Sequence, residues 1–458
     1  MSLPKNWVET RLENVIFYKK GKKPKILKDE EFDNSLPYLD IKAFEKGEIR
    51  RYADKASSNL IDENDIGIVW DGARSGWVSY GKSGAIGSTI AKLTPLKIES
   101  TFLYRFLQSK FEYLNSNTRG TGIPHVDPQI LWNLKFPLPP LAEQERIVAK
   151  LDVLFGQIDV MKQSLERIPQ LLANFKQQVL TLAVTGKLTE AWREGKELKD
   201  WEETNIGSLF SVKTGATPKR GEQKYYDGGD IPWLKSGQVK NELIYEAEEF
   251  ITDLAIKETN TKVFPIDTLL VAMYGEGKTR GQVGWMKIEA ATNQAIAALV
   301  NENLDIRTRS YTYYFCLSQY NEIRAQAEGG NQPNLNLSKI KNWKIQLPPL
   351  QEQKEIVNRV ESLFAKADAI EAQYQSLKTK IDSLPQAILH KAFKGELVPQ
   401  LPTDGDAKEL LKEIEKLKAE AKPKKKSTKK KTYTKTKTSI PQAAEPDRAG
   451  YENDLKIK

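Results

Sequence analysis

The sequence predicts an α/β (α+β) fold: two globular units alternating with two long helices that pack together as an antiparallel coiled coil. Three observations predict it. "LPPLAEQERIV" at 138–148 returns as "LPPLQEQKEIV" at 347–357, at an offset of 209 residues. The stretch after each copy carries apolar residues at the 3.5-residue spacing that keeps one seam facing a partner helix. The stretch before each copy is a fainter repeat of strand-like runs, turns and one helix.

The first globular unit is placed at 1–137. "WVETRLENVIFYKKGKKP" (7–24) has a counterpart in "WEETNIGSLFSVKTGATP" (201–218), with Trp7 over Trp201, Gly21 over Gly215 and Pro24 over Pro218. "IGIVW" (66–70) and "TLLVAMY" (268–274), broken by Gly and Pro, predict strands. "FLYRFLQS" (102–109) and "YYFCLSQ" (313–319) predict one helix per unit. A Gly-rich turn precedes each LPPL: "RGTGIPHVDPQI" (119–130) and "EGGNQPNLNLSKI" (328–340).

The first helical spacer is placed at 138–195, the second unit at 196–346 and the second spacer at 347–400. From Ile147, alternate steps of four and three meet Leu151, Leu154, Ile158, Met161, Leu165, Ile168, Leu172, Phe175, Val179 and Leu182. The same walk from Ile356 meets Val360, Leu363, Ala367, Ile370, Tyr374, Leu377, Ile381, Leu384 and Ile388. Pro139 and Pro140 suit a helix start, with Glu143 and Glu145 at the positive end of its dipole. Gly186 and Gly395 suit its end. Pro169 and Pro385 predict kinks or interruptions. Each helix spans up to about 58 Å over roughly 39 residues. A single buried helix in an ordinary core is the alternative; the length and repetition of the seam favour the coiled coil. Residues 401–458 read as a basic, disordered tail.

Composition narrows the function. Two histidines and the single Cys316 exclude a disulfide framework and a thiolate zinc cluster, and they leave little for histidine-based catalysis. No stretch reaches the roughly 18 apolar residues of a membrane span, and the N-terminus lacks a secretory pattern, so a reducing cytoplasm is expected. The net charge is +9, but residues 422–437 hold nine lysines and no acid, which leaves 9 − 9 = 0 for the rest. A polyanion partner therefore requires charge to be segregated on the folded body.

Several apparent chemistries fail. "AMYGEGKT" (272–279) lacks the first glycine of a phosphate-binding loop, Ala272 standing in its place. Asp267, Glu276 and Lys278 resemble a nuclease core, but the matching first-half stretch "ENDIGIVWDGARSG" has no such set. No Asn/Asp-Pro-Pro-Tyr/Phe loop or Gly-x-Gly-x-x-Gly turn is present for adenine methylation, and the double prolines here open helices. The chain is expected to have no catalytic residues, metal site or cofactor of its own.

The duplicated order, with "PLPPLAEQERIVAKLD", "FKQQVLTLAVTGKLTEAWR" and their second copies, resembles the specificity subunits of type I restriction–modification enzymes. "RIPQLL" (167–172) and the lysine-rich end are similar to the enteric type IA branch. The resemblance implies that each globular unit is a target recognition domain for one half of a split, asymmetric double-stranded DNA site. It implies that the paired helices set the spacing between the halves. It implies two modification subunits that use S-adenosylmethionine to methylate adenine, and two restriction subunits that use ATP and Mg²⁺ as motors and nuclease. Partner contacts would fall on the repeated spacer residues Glu143, Gln144, Phe155, Glu352, Gln353 and Phe364.

Base reading needs donors and acceptors that enter the major groove, while most lysines that touch DNA touch phosphate. In the first unit the candidates are Lys19, Lys20, Lys22, Lys23, Arg74, Trp77, Arg119, Thr121 and His125, the last read as a turn or packing residue rather than an acid or base. In the second they are Lys213, Lys219, Arg220, Tyr274, Lys278, Arg280, Asn331, Gln332 and Asn334. Arg74, Arg280, Asn331 and Gln332 are favoured for base edges. The competing class is a non-enzymatic coiled-coil tether carrying two ligand-sensing modules, which predicts no methyltransferase partner. A self-contained restriction–modification polypeptide fails on length and on the missing methyltransferase loop.

Overall fold

The computed structural model describes residues 3–120, 122–275, 279–322 and 335–421. The chain divides into two compact units: residues up to Val148 with those from Phe393 onward, and Ala149–Ala392.

In the first unit, Val8–Arg11 pairs antiparallel with Lys135–Leu138. A four-stranded sheet orders Ile16–Lys20, Ile90–Pro95, Ile66–Val69 and Val78–Ser79. A five-stranded mixed sheet orders Leu27–Lys28, Tyr52–Asp54, Ser35–Leu39, Gly84–Ile86 and Asn59–Ile61. The helix Ser100–Ser109 buries Phe102, Leu103, Phe106 and Leu107. Phe102 and Phe106 both meet Phe136 and Phe393 edge-on, with ring centroids 4.9–5.9 Å apart. This geometry adds to the burial of apolar area.

The second unit repeats the plan. Glu202–Asn205 pairs with Lys344–Leu347. Ser211–Thr214 pairs with Ile296–Val300, which pairs with Leu269–Ala272, as in the first unit's sheet. The predicted strands at Ile66–Val69 and Leu269–Ala272 are present and buried on both faces. That is why they read as unbroken apolar runs rather than alternating ones. The predicted helices are Ser100–Ser109 and Ile306–Ser318. The repeated Gly21 and Gly215 lie where the backbone passes itself closely. A Cβ would sit 2.1 Å from the Gly87 carbonyl oxygen in one case and 1.8 Å from that of Thr292 in the other.

The first spacer runs as Leu141–Glu166 and Ile168–Val184. The break falls at Pro169, which lacks the N–H that would reach back to residue 165 and sits in the first turn of the new helix. The second spacer is a single helix, Leu350–Lys394, of 45 residues. At 1.5 Å per residue that is about 68 Å, longer than expected. Pro385 lies inside it without interrupting it.

The helices are antiparallel. Ile158 and Leu165 pack with Tyr374 and Ile381, flanked by Phe155, Ile168, Leu384 and Ile388. Lys162 pairs with Asp382 and Lys176 with Asp368, so fourteen residues forward on one helix go fourteen back on the other. The seam is narrower than the periodicity suggested. Ile158, Leu165 and Val179 are buried, but Met161, Phe175 and Leu182 are 40%, 37% and 39% exposed. Ala367, Tyr374 and Ile381 are likewise buried, while Ile370 and Leu377 are 49% and 47% exposed. Along the middle of the pair each helix thus buries one heptad position more deeply than the other, though Ile168 and Leu384 at the second position still flank the seam.

The tail begins later than expected. Pro402–Asp404 forms a 3-10 turn and Ala407–Glu420 a helix that buries Ala407 and Ile414. Asp404 is 1% exposed and takes both Arg146 amino groups at 2.6 and 2.7 Å. The Ala407 N–H donates to the Asn6 carbonyl, and Lys97 pairs with Glu413. The apolar side of this helix finds a surface on the first unit, and that orders a segment whose composition reads as solvated. The lysine run at 422–437 lies outside the described residues. No helix among the described residues is long and apolar enough to cross a membrane.

Candidate nucleic-acid interface

The first unit brings two of its predicted contact loops together. The turn after Ile66–Val69 is closed by hydrogen bonds from Gly76 N to Val69 O and from Trp77 N to Arg74 O. Asn115 holds it from outside by donating to the Ala73 and Ser75 carbonyls at 3.0 and 2.9 Å. Residues 119–120 and 122–127 then dock on it. Gly72 N–H donates to the Pro124 carbonyl, and the buried Ser75 hydroxyl lies 3.0 Å from the same oxygen. His125 and Arg119 exchange both backbone hydrogen bonds at 2.8 Å. The side chain of Asp71 lies 2.7 Å from His125 Nδ1 and 3.3 Å from Lys20 Nζ. Beside it Tyr18, Trp70 and Trp132 form an aromatic group, with Lys20 over the Trp70 ring at 5.6 Å. Burial, with Asp71 nearby, pushes the Tyr18 hydroxyl above its usual range.

Many predicted contacts are engaged within the chain. Arg74 pairs with Glu45 at 3.0 Å, Arg119 with Asp127 at 2.6 Å and Lys219 with Glu222 at 3.0 Å. Arg220 pairs with Glu249 at 2.7 Å while lying over Trp233 and Tyr226. Trp77 packs against the core of Leu39, Phe44 and Ile86 and serves chiefly as a packing residue. Lys22, Lys23 and Lys213 are exposed, and Tyr274 is 39% exposed.

The second unit closes a turn two residues longer with the corresponding pair of bonds: Gly281 N–H donates to Ala272 O and Gln282 N–H to Thr279 O. Arg280 therefore takes the place of Ser75. Its Nε and one terminal nitrogen are buried without an acceptor among the described residues. Thr121, Lys278, Asn331, Gln332 and Asn334 lie outside the described residues.

Most of the spacer residues expected to meet partners are engaged within the fold. Glu143, Gln144, Glu352 and Gln353 are at most 1% exposed. Glu352 accepts from the Thr189 hydroxyl at 2.7 Å and Trp201 Nε1 at 2.9 Å. Gln353 accepts from Thr308 at 2.8 Å and donates to the Pro348 carbonyl at 2.6 Å. Glu143 accepts from the amides of Asn6 at 3.1 Å and Gln400 at 3.0 Å. Gln144 accepts from Glu99 N–H and donates to the Pro139 carbonyl. Their polar atoms are used inside the fold, anchoring each helix start to its globular unit. Phe155 belongs to the seam, and Phe364 packs edge-on to Tyr314 at the second unit's core.

The carboxylate of the discarded nuclease set is also structural. Asp267 lies 2.8 Å from Lys287 Nζ and accepts from Trp285 Nε1 at 2.9 Å. Burial raises its carboxyl, but these hydrogen bonds and the charges of Lys287 and Arg309 outweigh it and hold it below the usual range. Glu276 and Lys278 lie outside the described residues. No cluster of His, Cys, Asp and Glu among the described residues is grouped to hold a metal.

The family described as "Type I restriction modification DNA specificity domain" matches residues 4–170 and again 198–379, once over each globular unit and the leading part of the helical spacer after it. The chain belongs to this family. It is 30% identical over 462 residues to the type I restriction enzyme StySPI specificity subunit of Salmonella potsdam, covering 91% of this chain and 96% of that one. It is 29% identical to the EcoKI specificity subunit of Escherichia coli K12, covering 91% and 96%. It is 27% identical to the MjaVIII specificity subunit of Methanocaldococcus jannaschii, covering 87% and 94%.

Two solved structures share the fold. One, from work on complex assembly and conformational transition of the type I R-M system, aligns with a TM-score of 0.63 at 20% identity. It covers 86% of this chain and all of that one. The HsdS subunit from Thermoanaerobacter tengcongensis aligns with a TM-score of 0.56 at 19% identity, covering 86% and 98%. As a specificity subunit, the chain is the recognition component of such an enzyme and not its catalytic one.

Proposed function

We propose that this chain reads a bipartite, asymmetric sequence in double-stranded DNA, one half per globular unit, and scaffolds the subunits that modify and cut it. The observation that carries the reading is the duplication itself. Two units share the order of their central strands and the bonds that close the turn after them, yet differ in the residues their loops present. A fold can hold its framework and vary its loops to read two targets.

Lys22, Lys23 and Lys213 supply phosphate grip. The ion-paired Lys20, Arg74, Arg119, Lys219 and Arg220 engage DNA only by exchanging their carboxylate partners, which lowers their net contribution. Arg280 is the favoured base reader of the second unit: two of its nitrogens have no acceptor among the described residues, and they reach a base only by swinging out of their buried position. The paired helices set the distance between the half-sites. Their open heptad positions, Met161, Phe175, Leu182, Ile370 and Leu377, offer an apolar stripe for helices of two modification subunits. S-adenosylmethionine, ATP and Mg²⁺ belong to those and to two restriction subunits, in the cytoplasm.

The test is a methylome. The chain is expressed with its modification subunit in a host lacking adenine methylation, and methyladenine is mapped by long-read sequencing. A split motif with a fixed unspecified gap is expected. No new methylation from a soluble, associated pair would overturn the reading. Arg280→Ala should relax one half-site, at about 1–3 kcal/mol of lost discrimination, and leave the other unchanged.

A further inference from the structure

We propose that His125 reads a base in the first unit's half-site as a hydrogen-bond acceptor, held in one tautomer by Asp71. The proposal rests on the DNA-reading function above. His125 Nδ1 lies 2.7 Å from Asp71 Oδ1. An ionised carboxylate only accepts, so the proton sits on Nδ1, and in the neutral ring Nε2 is then an acceptor. The imidazole is 46% exposed while Asp71 is 17% exposed, so the carboxylate lies inside and the ring faces out.

The mount is rigid. The backbone of His125 is paired in both directions with Arg119, and the adjacent Pro124 carbonyl accepts from Gly72 N–H and is reached by the Ser75 hydroxyl. The Arg119 side chain is tied to Asp127. Lys20 Nζ, on the other oxygen of Asp71, keeps that carboxylate compensated.

An outward acceptor has nothing to bond on a phosphate, which offers only acceptor oxygens. In the major groove the donors are adenine N6 and cytosine N4. The cations around it, Lys20 and Arg119, can only donate and suit phosphate or guanine. The cluster thus joins grip to one acceptor that selects an amino-bearing base. Asp71 is a positioning residue and His125 the contact.

His125→Asn separates the two roles, because it keeps a donor toward Asp71 and removes the outward nitrogen. In the complex with its modification subunit, the mapped motif should gain one degenerate position in one half. Preference for adenine or cytosine there should fall roughly tenfold, with the other half unchanged. An unaltered motif, or equal loosening of both halves, overturns the assignment. If the native chain itself yields no split motif, the DNA-reading function fails instead. If His125→Asn gives no methylation, the soluble variant complex is titrated with oligonucleotides varied through the first half-site. Lost discrimination at one position supports the assignment, and uniform weakening across all sequences overturns it. His125→Gln, which returns an amide oxygen near the Nε2 position, should restore part of the preference.

Discussion

Glu143 and Glu352 show how far a single residue's role can be inferred from repetition. The identity at both positions was visible in the sequence, and so was their place at a helix start. What could not be seen is that Thr189 and Trp201 approach Glu352 from the end of the other helix and the next unit. Burial at 0% turns a candidate contact into an internal anchor. Glu352→Gln should cost about 2 kcal/mol in the second unit, because a charged acceptor of two buried donors is lost; urea unfolding measures it. The two copies have also diverged. Trp7, the counterpart of Trp201, is 5% exposed, yet its Nε1 has no partner among the described residues, and Asn6 serves Glu143 instead. Cys316 needs no role beyond packing: it is fully buried, and burial pushes its thiol up to about 12. A thiol reagent at neutral pH should leave it unlabelled until the second unit unfolds; labelling of the native chain at the rate of a free thiol would contradict this.

At the scale of elements, the predicted strands and helices were legible because each was marked by period and punctuation. The helix ends show the physics most clearly. Gly186 and Gly395 both take left-handed φ values, 78° and 75°. Alanine at either should cost about 1–2 kcal/mol from backbone strain. Gly395→Ala should cost more, since its Cβ would lie 2.3 Å from Pro4, whereas that of Gly186 would meet Trp201 at 3.2 Å. Equal shifts in the denaturation midpoints would count against this ranking. The two prolines had opposite outcomes. Pro169 starts a new helix and Pro385 is carried within a continuous one; the sequence offers the same residue in both and no local sign of the difference. The helix Ala407–Glu420 was missed because lysines and glutamates dominate it, and only its docking on the first unit gives Ala407 and Ile414 a place to be buried. Asp404 fastens it. Its hydrogen bonds with Arg146 outweigh burial and hold the carboxyl below the usual range. A depressed folded value means the contribution is complete above the unfolded value and is lost as pH falls through the folded one. Acid should therefore release this segment, and Asp404→Asn should release it at neutral pH, at a cost of about 1–3 kcal/mol, read by proteolysis near residue 405.

For the whole molecule, the two units are separate bodies with separate cores, and recognition should be modular in the same way. Replacing residues 1–137 with the matching segment of a relative of different specificity should change one half of the methylated motif and leave the other. A change in both halves would show that the units do not read independently. Residues 395–421 must stay with the first unit in any such exchange, since Gln400, Asp404 and Ala407 are bound to it.

The sequence alone determined the duplication, the antiparallel helix pair, the family and the absence of a recognisable catalytic motif. Each of these is written in local order: residue spacing, repeated words, missing motifs. The tertiary structure decided which faces are buried. It placed the Glu-Gln pairs inside, left part of each helix seam open, docked the helix after the second spacer and joined residues 71–77 to 119–120 and 122–127 around Asp71. Those outcomes depend on which groups arrive from far along the chain to exclude water or accept a proton, and no local pattern records that.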